Sequence, residues 1–176
     1  MKLERENKYN ILLGGSGIAG KTSYINSYST KEFTNNILST IGINRAAIKE
    51  LNKSKFYIWD SAHWGKQYDS IIQRFIKKTD GVILIFDLSK KKDFEELPRL
   101  LDIITEFHEF ENFPVLLIGN KSDLDIMVDE NEIEKFLVKE NFIGYFEVSC
   151  KTHKNVEESV DFMINYIYKN KRKKFI

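Results

Sequence analysis

Four short stretches of the chain are almost continuously apolar, and each of them ends at a glycine or an aspartate. They cover residues 9–14, 56–60, 81–87 and 114–119. Apolar runs of this length without alternation are typical of strands that are buried on both faces of a parallel sheet. Two weaker candidates, residues 46–51 and 144–148, bring the predicted number of strands to about six.

Other segments place their apolar residues at the spacing of an amphipathic helix. One set comprises Leu97, Leu100, Leu101, Ile104 and Phe107, and a second comprises Val156, Val160, Met163, Ile164 and Ile167. The alternation of strand and helix patterns predicts an α/β fold, with a six-stranded, mainly parallel sheet flanked by about five helices. Because no linker or repeat divides the chain, we predict one domain over residues 1–168 and a basic tail over residues 169–176.

Composition and charge then narrow the range of functions. The 27 basic and 26 acidic side chains give a formal net charge of +1, without the basic excess that is typical of proteins that coat nucleic acid. The N-terminal residues lack a signal-peptide pattern, and the single cysteine, Cys150, cannot form an intramolecular disulfide. No apolar run has the length of a membrane span. We therefore expect a cytoplasmic monomer that does not bind nucleic acid.

A phosphate-binding pattern, G-x-x-x-x-G-K-[ST], follows the first predicted strand as Gly15-Ser-Gly-Ile-Ala-Gly-Lys-Thr22. Triphosphate oxygens need several backbone N–H donors that converge, and Gly15, Gly17 and Gly20 give the chain the freedom to curl tightly. Lys21 supplies a charge for the outer phosphates, the hydroxyl of Thr22 can bind Mg²⁺, and the next helix points its positive end at the anion. The alternative is a glycine-rich turn without a ligand. The expected contact residues are Gly15, Ser16, Gly17, Ile18, Ala19, Gly20, Lys21, Thr22 and Ser23.

A second motif, Asn120-Lys-Ser-Asp123, follows a predicted strand and so lies at the carboxyl edge of the sheet, where α/β proteins bind ligands. Four residues alone are a weak signal, and this motif gains its weight from its position and from the phosphate loop. The carboxylate of Asp123 can accept hydrogen bonds from the ring N–H and the exocyclic amine of guanine, a donor pair that adenine lacks. Lys121 can lie along the purine face, while Asn120 connects loops. The two motifs together predict binding of GTP or GDP.

With these motifs the chain resembles a small GTPase of the Ras superfamily, most closely the Rab proteins. Three further segments carry the resemblance, namely Ser39-Thr-Ile-Gly42 for the first switch, Trp59-Asp-Ser-Ala62 for the second, and Ser149-Cys-Lys151 for another base-contacting loop. The resemblance implies the G-domain fold of the phosphate-loop NTPases, bound GTP or GDP with Mg²⁺, and GTPase activity. It also implies a molecular switch in signalling or vesicle traffic.

The resemblance implies roles for individual residues as well. Thr40 would bind Mg²⁺ only when a γ-phosphate is present, Asp60 would hold the ion through water, and Phe33 would pack beside the base. Lys21 and Thr40 would also serve catalysis. A polar loop for Thr40, a strand end for Asp60 and a core position for Phe33 are the alternatives. The base pocket would further be lined by Ser149, Cys150 and Lys151.

The second switch departs from the family pattern, which is D-x-x-G followed by a glutamine that orients the attacking water. The chain instead has Asp60-Ser-Ala-His-Trp-Gly-Lys-Gln67. A direct overlay puts His63 at the glycine and Trp64 at the glutamine, whereas a shifted loop makes Gly65 the glycine. Because orienting the water is one part of phosphoryl transfer, its loss predicts slow GTP hydrolysis. Gln67 is the first candidate to replace the glutamine in catalysis, with His63 as the alternative.

Two other functions compete with the slow GTPase. A non-hydrolysing GTP-binding scaffold would keep its nucleotide only to stabilise the fold. A phosphate-loop kinase is disfavoured by the guanine motif and by the lack of a recognisable acceptor-binding lid. Under the favoured reading, effectors and regulators bind at the two switches, whose conformation the γ-phosphate controls.

The last residues bear on membrane contact. The chain ends Lys-Lys-Phe-Ile, without the terminal cysteines that proteins of this kind prenylate, so we expect no lipid anchor in this sequence. The basic run Lys169-Asn-Lys-Arg-Lys-Lys174 gains roughly 1 kcal/mol per charge at an anionic leaflet, which predicts only weak, peripheral contact. A solubilising helix end or a truncated terminus is the alternative.

Overall fold

A computed structural model describes residues 7–33, 40–64, 69–109 and 113–173 of the chain. Within these ranges six strands form one sheet: β1 (Asn7–Gly15), β2 (Ile43–Leu51), β3 (Ser54–Ser61), β4 (Gly81–Asp87), β5 (Val115–Asn120) and β6 (Gly144–Glu147). The helices in the same ranges are α1 (Lys21–Thr30), α2 (Asp69–Ile76), α3 (Lys91–Glu95), α4 (Leu97–Thr105), α5 (Glu130–Lys139) and α6 (Val156–Lys173). The predicted α/β fold with a six-stranded, mainly parallel sheet is confirmed.

The order of the strands places β1 near the middle of the sheet. The order is β2-β3-β1-β4-β5-β6, and only the pairing of β2 with β3 is antiparallel among these strands. From β1 the chain continues to β2 and β3 on one side and returns to β4 on the other side. A reversal of this kind opens a crevice at the carboxyl end of the strand, where open α/β sheets bind ligands.

Both faces of the sheet are covered, which explains the continuous hydrophobic character of its central strands. On one face, Ile11 and Leu13 of β1 belong to a core with side chains of α1 and α6, such as Ile25 and Met163. On the other face, Leu12 belongs to a second core with side chains of α2, α4 and α5. Successive side chains of a strand alternate between the faces, so a strand buried on both sides needs apolar residues at every position.

The edge strand and the last helix differ most from their sequence patterns. The predicted segment 46–51 is part of a longer strand, β2, which lies at the edge of the sheet and is exposed at about half of its positions. Helix α6 continues past its apolar stripe to Lys173, so the basic residues from Lys169 onward form its last turns. Among the described residues, no helix combines the length and hydrophobicity needed to cross a bilayer.

Candidate nucleotide-binding site

The phosphate loop joins β1 to α1 at the crevice. Gly15 has a φ of 140° and Gly20 a φ of 89°, values that side-chain-bearing residues rarely adopt. A Cβ on Gly15 would lie 2.1 Å from the carbonyl oxygen of Ile85, and a Cβ on Gly20 would lie 2.5 Å from Nδ2 of Asn120. Gly15 and Gly20 are therefore both required to be glycine, because each has a positive φ and because Ile85 and Asn120 leave no room for a Cβ.

The remaining loop positions are partly buried and partly exposed. Ser16 is buried and its hydroxyl donates to Oδ2 of Asp93 at 2.7 Å. The same carboxylate oxygen accepts the backbone N–H of Asp87 at 3.0 Å, so α3 fixes the loop to the end of β4. Gly17 and Ile18 are exposed. Gly17 has no positive φ, so its backbone conformation alone does not require glycine.

Lys21 opens helix α1 and folds its side chain back across the loop. Its Nζ donates to the carbonyl oxygens of Gly15 at 3.1 Å and of Ser16 at 2.6 Å. Burial lowers the pKa of Lys21 to about 8, although the carboxylates of Asp60 and Asp93 favour the charged form. The ammonium group is thus desolvated within a loop of backbone dipoles, where an anion would complete its partners.

Three side chains that the sequence predicts for magnesium converge beside this loop. The hydroxyls of Thr22 and Thr40 donate to Oδ2 of Asp60 at 2.6 Å and 2.9 Å, and lie 2.9 Å from each other. The second oxygen of Asp60, Oδ1, is buried and has no hydrogen-bond partner among the described residues. Two hydroxyls and a carboxylate with a free oxygen fit Mg²⁺, which prefers oxygen ligands. The described residues hold no cluster of three or more His, Cys, Asp or Glu side chains as an alternative metal site.

Asn120, at the end of β5, joins three loops. Its Nδ2 donates to the carbonyl oxygen of Ala19 at 2.8 Å, and its Oδ1 accepts from the Sγ of Cys150 at 3.1 Å. Asp123 accepts from the hydroxyl of Ser149 at 2.6 Å. The two predicted base-contacting loops therefore touch each other and the phosphate loop. Burial raises the pKa of Cys150 to about 12, so the thiol is neutral and unreactive at physiological pH.

Lys121 has a partner that the motif alone did not reveal. Its Nζ donates to Oδ2 of Asp87 at 2.6 Å, and the side chain of Asp87 is fully buried at the end of β4. Burial alone would raise the pKa of the Asp87 carboxyl, but hydrogen bonds from Lys121 and Ser89 outweigh it and hold the pKa below its usual range. This pair fixes the ammonium group of Lys121 at the end of β4.

The other predicted residues divide between the rim of the site and segments outside the described residues. Ser23 is half-buried in the first turn of α1, while Phe33 and Lys151 are exposed. Gln67, the predicted replacement for the catalytic glutamine, lies outside the described residues, as does Ser39 of the first switch. The register around Gly65 also falls there. These assignments stay predictions.

Trp64 lies in the hydrophobic core, a position that no apolar pattern in the sequence predicts. It is 0% exposed, its indole N–H donates to Oγ of Ser61 at 2.8 Å, and its carbonyl accepts from the guanidinium of Arg99. A Cβ on Gly14 would lie 2.7 Å from the Trp64 ring. The side chain is therefore enclosed in the second core, where it packs against Gly14.

A phosphate loop at the switch point of the sheet, an oxygen site suited to magnesium and an Asn-Lys-x-Asp motif define a guanine-nucleotide-binding protein of the phosphate-loop class. The chain belongs to the Ras family, whose family model matches residues 10–169. It is 34% identical over 159 residues to Ras-related protein RABG3f of Arabidopsis thaliana, which covers 85% of this chain and 76% of that protein.

Two other relatives lead to the same assignment. The chain is 31% identical over 170 residues to Ras-related protein Rab7 of Cenchrus ciliaris, covering 91% of this chain and 82% of the relative. It is 30% identical over 162 residues to Ras-related protein Rab-11B of Dictyostelium discoideum, covering 90% and 72%. The protein is thus a Rab-like small GTPase, a GTP-binding switch that uses GTP or GDP with Mg²⁺.

Proposed function

We propose that this protein hydrolyses GTP slowly and uses the change from GTP to GDP to control the binding of effectors. The observation that carries the proposal is the burial of Trp64, which a direct overlay places where the family has its water-orienting glutamine. The groups that would hold the phosphates and the metal are nonetheless assembled around Lys21 and Asp60. These groups support GTP binding, whereas a buried tryptophan at the position of the glutamine leaves the attacking water without its usual orienting residue.

Nucleotide binding would use the loops as the sequence predicts. The backbone from Gly15 to Gly20 would surround the phosphates, with Lys21 moving its ammonium from loop carbonyls to phosphate oxygens. Thr22 and Thr40 would ligate Mg²⁺ directly, and Asp60 would hold it through water. The ion would neutralise charge on the outer phosphates. Because Thr40 reaches this site from the chain before β2, it would report whether the γ-phosphate is present.

Guanine selection would depend on the loops after β5 and β6. Asp123 would accept from the ring N–H and the exocyclic amine of the base, while Ser149 fixes its carboxylate. Lys121 would cover one face of the purine and Phe33 the edge. Cys150 and Lys151 would complete the pocket. An adenine base would leave the carboxylate without its donors, which disfavours ATP.

Hydrolysis would proceed by in-line attack of water. The water oxygen forms a bond to the γ-phosphorus while the bond from this phosphorus to the β–γ bridging oxygen breaks, and a proton of the water passes to the phosphate released beside GDP. The protein contributes mainly position and electrostatics to this reaction. The indole of Trp64 is turned into the core and cannot orient the water, so Gln67 would have to do so. We expect slow turnover for this reason.

Effector binding would use the exposed surface next to Thr40. Ile41 is 80% exposed and strand β2 presents an open edge beside it. A change in the position of Thr40 would alter this surface directly. The basic end of α6 would add weak contact with anionic membranes, since Lys169 and Lys171 lie in its last turns.

The test is single-turnover hydrolysis of bound, labelled GTP in the presence of Mg²⁺. We expect a rate well below about 10⁻⁴ s⁻¹, the order found for unassisted switches of this kind, and a rate at or above that value would contradict the proposal. Gln67→Ala should reduce this rate, and Lys21→Ala serves as the control that abolishes phosphate binding. Absence of hydrolysis over many hours, with GTP still tightly held, would instead support the non-hydrolysing scaffold.

A further inference from the structure

Asp93 connects the phosphate loop to the sheet, although no motif of the nucleotide site includes it. The residue is buried, with 7% of its surface exposed. Its Oδ2 accepts the hydroxyl of Ser16 at 2.7 Å and the backbone N–H of Asp87 at 3.0 Å. Asp87 lies opposite Asn120 in the pairing of β4 with β5. One carboxylate oxygen therefore bonds the loop to a strand end that the sheet holds in place.

Ser16 joins Asp93 to the ammonium group of Lys21. The carbonyl oxygen of Ser16 accepts from Nζ of Lys21 at 2.6 Å, the shorter of the two hydrogen bonds that this ammonium makes with loop carbonyls. The same carbonyl accepts the backbone N–H of Ala19 at 3.4 Å. Because the hydroxyl and the carbonyl belong to one residue, holding the side chain of Ser16 also restricts the direction of the carbonyl that holds Lys21.

The carboxylate of Asp93 is suited to hold the loop and unsuited to bind the nucleotide. An ionised carboxylate accepts hydrogen bonds and has none to donate to a phosphate oxygen. A hydrogen bond to a charged acceptor is stronger than one between neutral groups. Binding groups that are already held in place lose less conformational freedom when a ligand arrives. Asp93 can therefore raise the affinity for phosphate without touching it.

We propose that Asp93 is a positioning residue for phosphate binding, which holds Ser16 so that the ammonium group of Lys21 is in place for the β-phosphate. The inference rests on the proposed function only in that a guanine nucleotide occupies the phosphate loop, and it is independent of the rate of hydrolysis. The preference for a nucleoside diphosphate over a monophosphate then depends on a side chain of α3 that does not contact the nucleotide.

The test compares the affinities of the full-length protein for GDP and GMP, both with Mg²⁺, by competition against a fluorescent GDP analogue. GMP lacks the β-phosphate, so the ratio of the Kd of GMP to the Kd of GDP measures the contribution of that phosphate. For Asp93→Ala we expect this ratio to fall about tenfold or more. A merely structural defect would weaken both nucleotides alike and leave the ratio unchanged. Asp93→Asn keeps an acceptor oxygen and should retain most of the ratio.

Ser16→Ala removes the donor and leaves the bond between Asp93 and Asp87 in place. It should lower the ratio by a similar factor, and it tests the inference even if Asp93→Ala does not fold. Combining Ser16→Ala with Asp93→Ala should lower the ratio little further, because both changes break the same hydrogen bond. Glu95→Ala is the matched control, since Glu95 is an exposed carboxylate of the same helix.

The outcomes separate this inference from the proposed function. An unchanged ratio in Asp93→Ala or in Ser16→Ala overturns the inference while the GTPase proposal stands. Losses that multiply in the double variant, or an equal loss in Asp93→Asn and Asp93→Ala, would overturn it as well, because Asp93 would then not act through its bond to Ser16. If the unmodified protein fails to hydrolyse GTP while both single alanine variants lower the ratio, the inference stands and the hydrolysis proposal fails.

Discussion

At the scale of single residues, the buried carboxylate of Asp87 depends on Lys121. We expect Lys121→Met to lower the free energy of unfolding of nucleotide-free protein by about 1–3 kcal/mol at pH 7, because it leaves a buried charge with fewer donors. The pKa of Asp87 lies below its usual range in the folded protein. This stabilisation is therefore present above the ordinary carboxyl pKa of about 4 and is lost as the pH falls through the folded value.

Denaturant unfolding at pH 3 to 7 measures this dependence. The difference between the unmodified protein and Lys121→Met should shrink as the pH falls below about 4. Lys90→Met is the control, since its Nζ lies 4.0 Å from Asp87 and its side chain is 49% exposed. A difference that stays constant with pH, or an equal loss in Lys90→Met, would contradict the account.

Asp123 carries a second prediction at this scale. If its carboxylate accepts from both guanine donors, Asp123→Ala should weaken GDP binding by about 100-fold or more. Inosine diphosphate lacks the exocyclic amine, so the unmodified protein should bind it less tightly than GDP, and the variant should lose this preference. Equilibrium titration with both nucleotides measures the effect. Asp125→Ala, in the same exposed loop, should behave as the unmodified protein does. If Asp123→Ala still binds GDP more tightly than inosine diphosphate, a residue other than Asp123 recognises the exocyclic amine.

At the residue scale, the sequence predicts contacts between residues that are close together in the chain and misses contacts between distant ones. Lys21 and Thr22 were predictable, because their motif is contiguous and its chemistry follows from spacing. The role of Asp93 was not predictable, since this residue lies 77 positions from Ser16, whose hydroxyl donates a hydrogen bond to its carboxylate. The partnership of Asp87 and Lys121 likewise needs the parallel pairing of β4 and β5 to bring the strand ends together.

At the scale of elements, the segment that leaves β3 is fixed by one large side chain. Trp64 fills the space between β1 and the helices of the second core. We expect Trp64→Ala to lower the free energy of unfolding by about 3–5 kcal/mol, through lost burial and the cavity left behind. Chemical denaturation of the GDP-bound protein measures this loss.

Trp64→Phe is the matched variant for this prediction. It keeps an aromatic ring and loses the hydrogen bond from the indole N–H to Ser61, so its cost should be clearly smaller than that of Trp64→Ala. A loss below about 1 kcal/mol in Trp64→Ala would show that this segment is not anchored in the core, since large-to-small core substitutions cost more than that.

Elements buried on both faces were predicted within about two residues at each end, because their hydrophobic pattern is strong. Strand β4 matches its predicted residues 81–87 at both ends. The edge strand β2 was predicted too short, since solvent exposure removes the apolar signal from about half of its positions. Trp64 was not predicted as a core residue, because it lies outside every apolar run and every amphipathic pattern of the sequence.

At the scale of the whole molecule, the topology explains why the distant motifs form one site. The phosphate loop follows β1, the predicted magnesium ligand Asp60 lies near the end of β3, and the guanine motif begins at the end of β5. The parallel arrangement brings the carboxyl ends of β1, β3, β4, β5 and β6 to one edge. Alternating strand and helix patterns predicted the parallel character of the sheet, whereas its order and the antiparallel β2 came from the structure. The sheet order depends on long-range pairing that local patterns do not encode.

The central claim is that the γ-phosphate controls the segment at Thr40 while the segment at Trp64 stays anchored. Hydrogen exchange of the protein bound to GDP and to a non-hydrolysable GTP analogue, each with Mg²⁺, tests it most directly. We predict that amides from Thr40 to Gly42 exchange more slowly with the analogue, and that the amide of Trp64 is equally protected in both states. Identical exchange throughout the chain would contradict the account, because it would mean that the nucleotide stabilises a fixed scaffold.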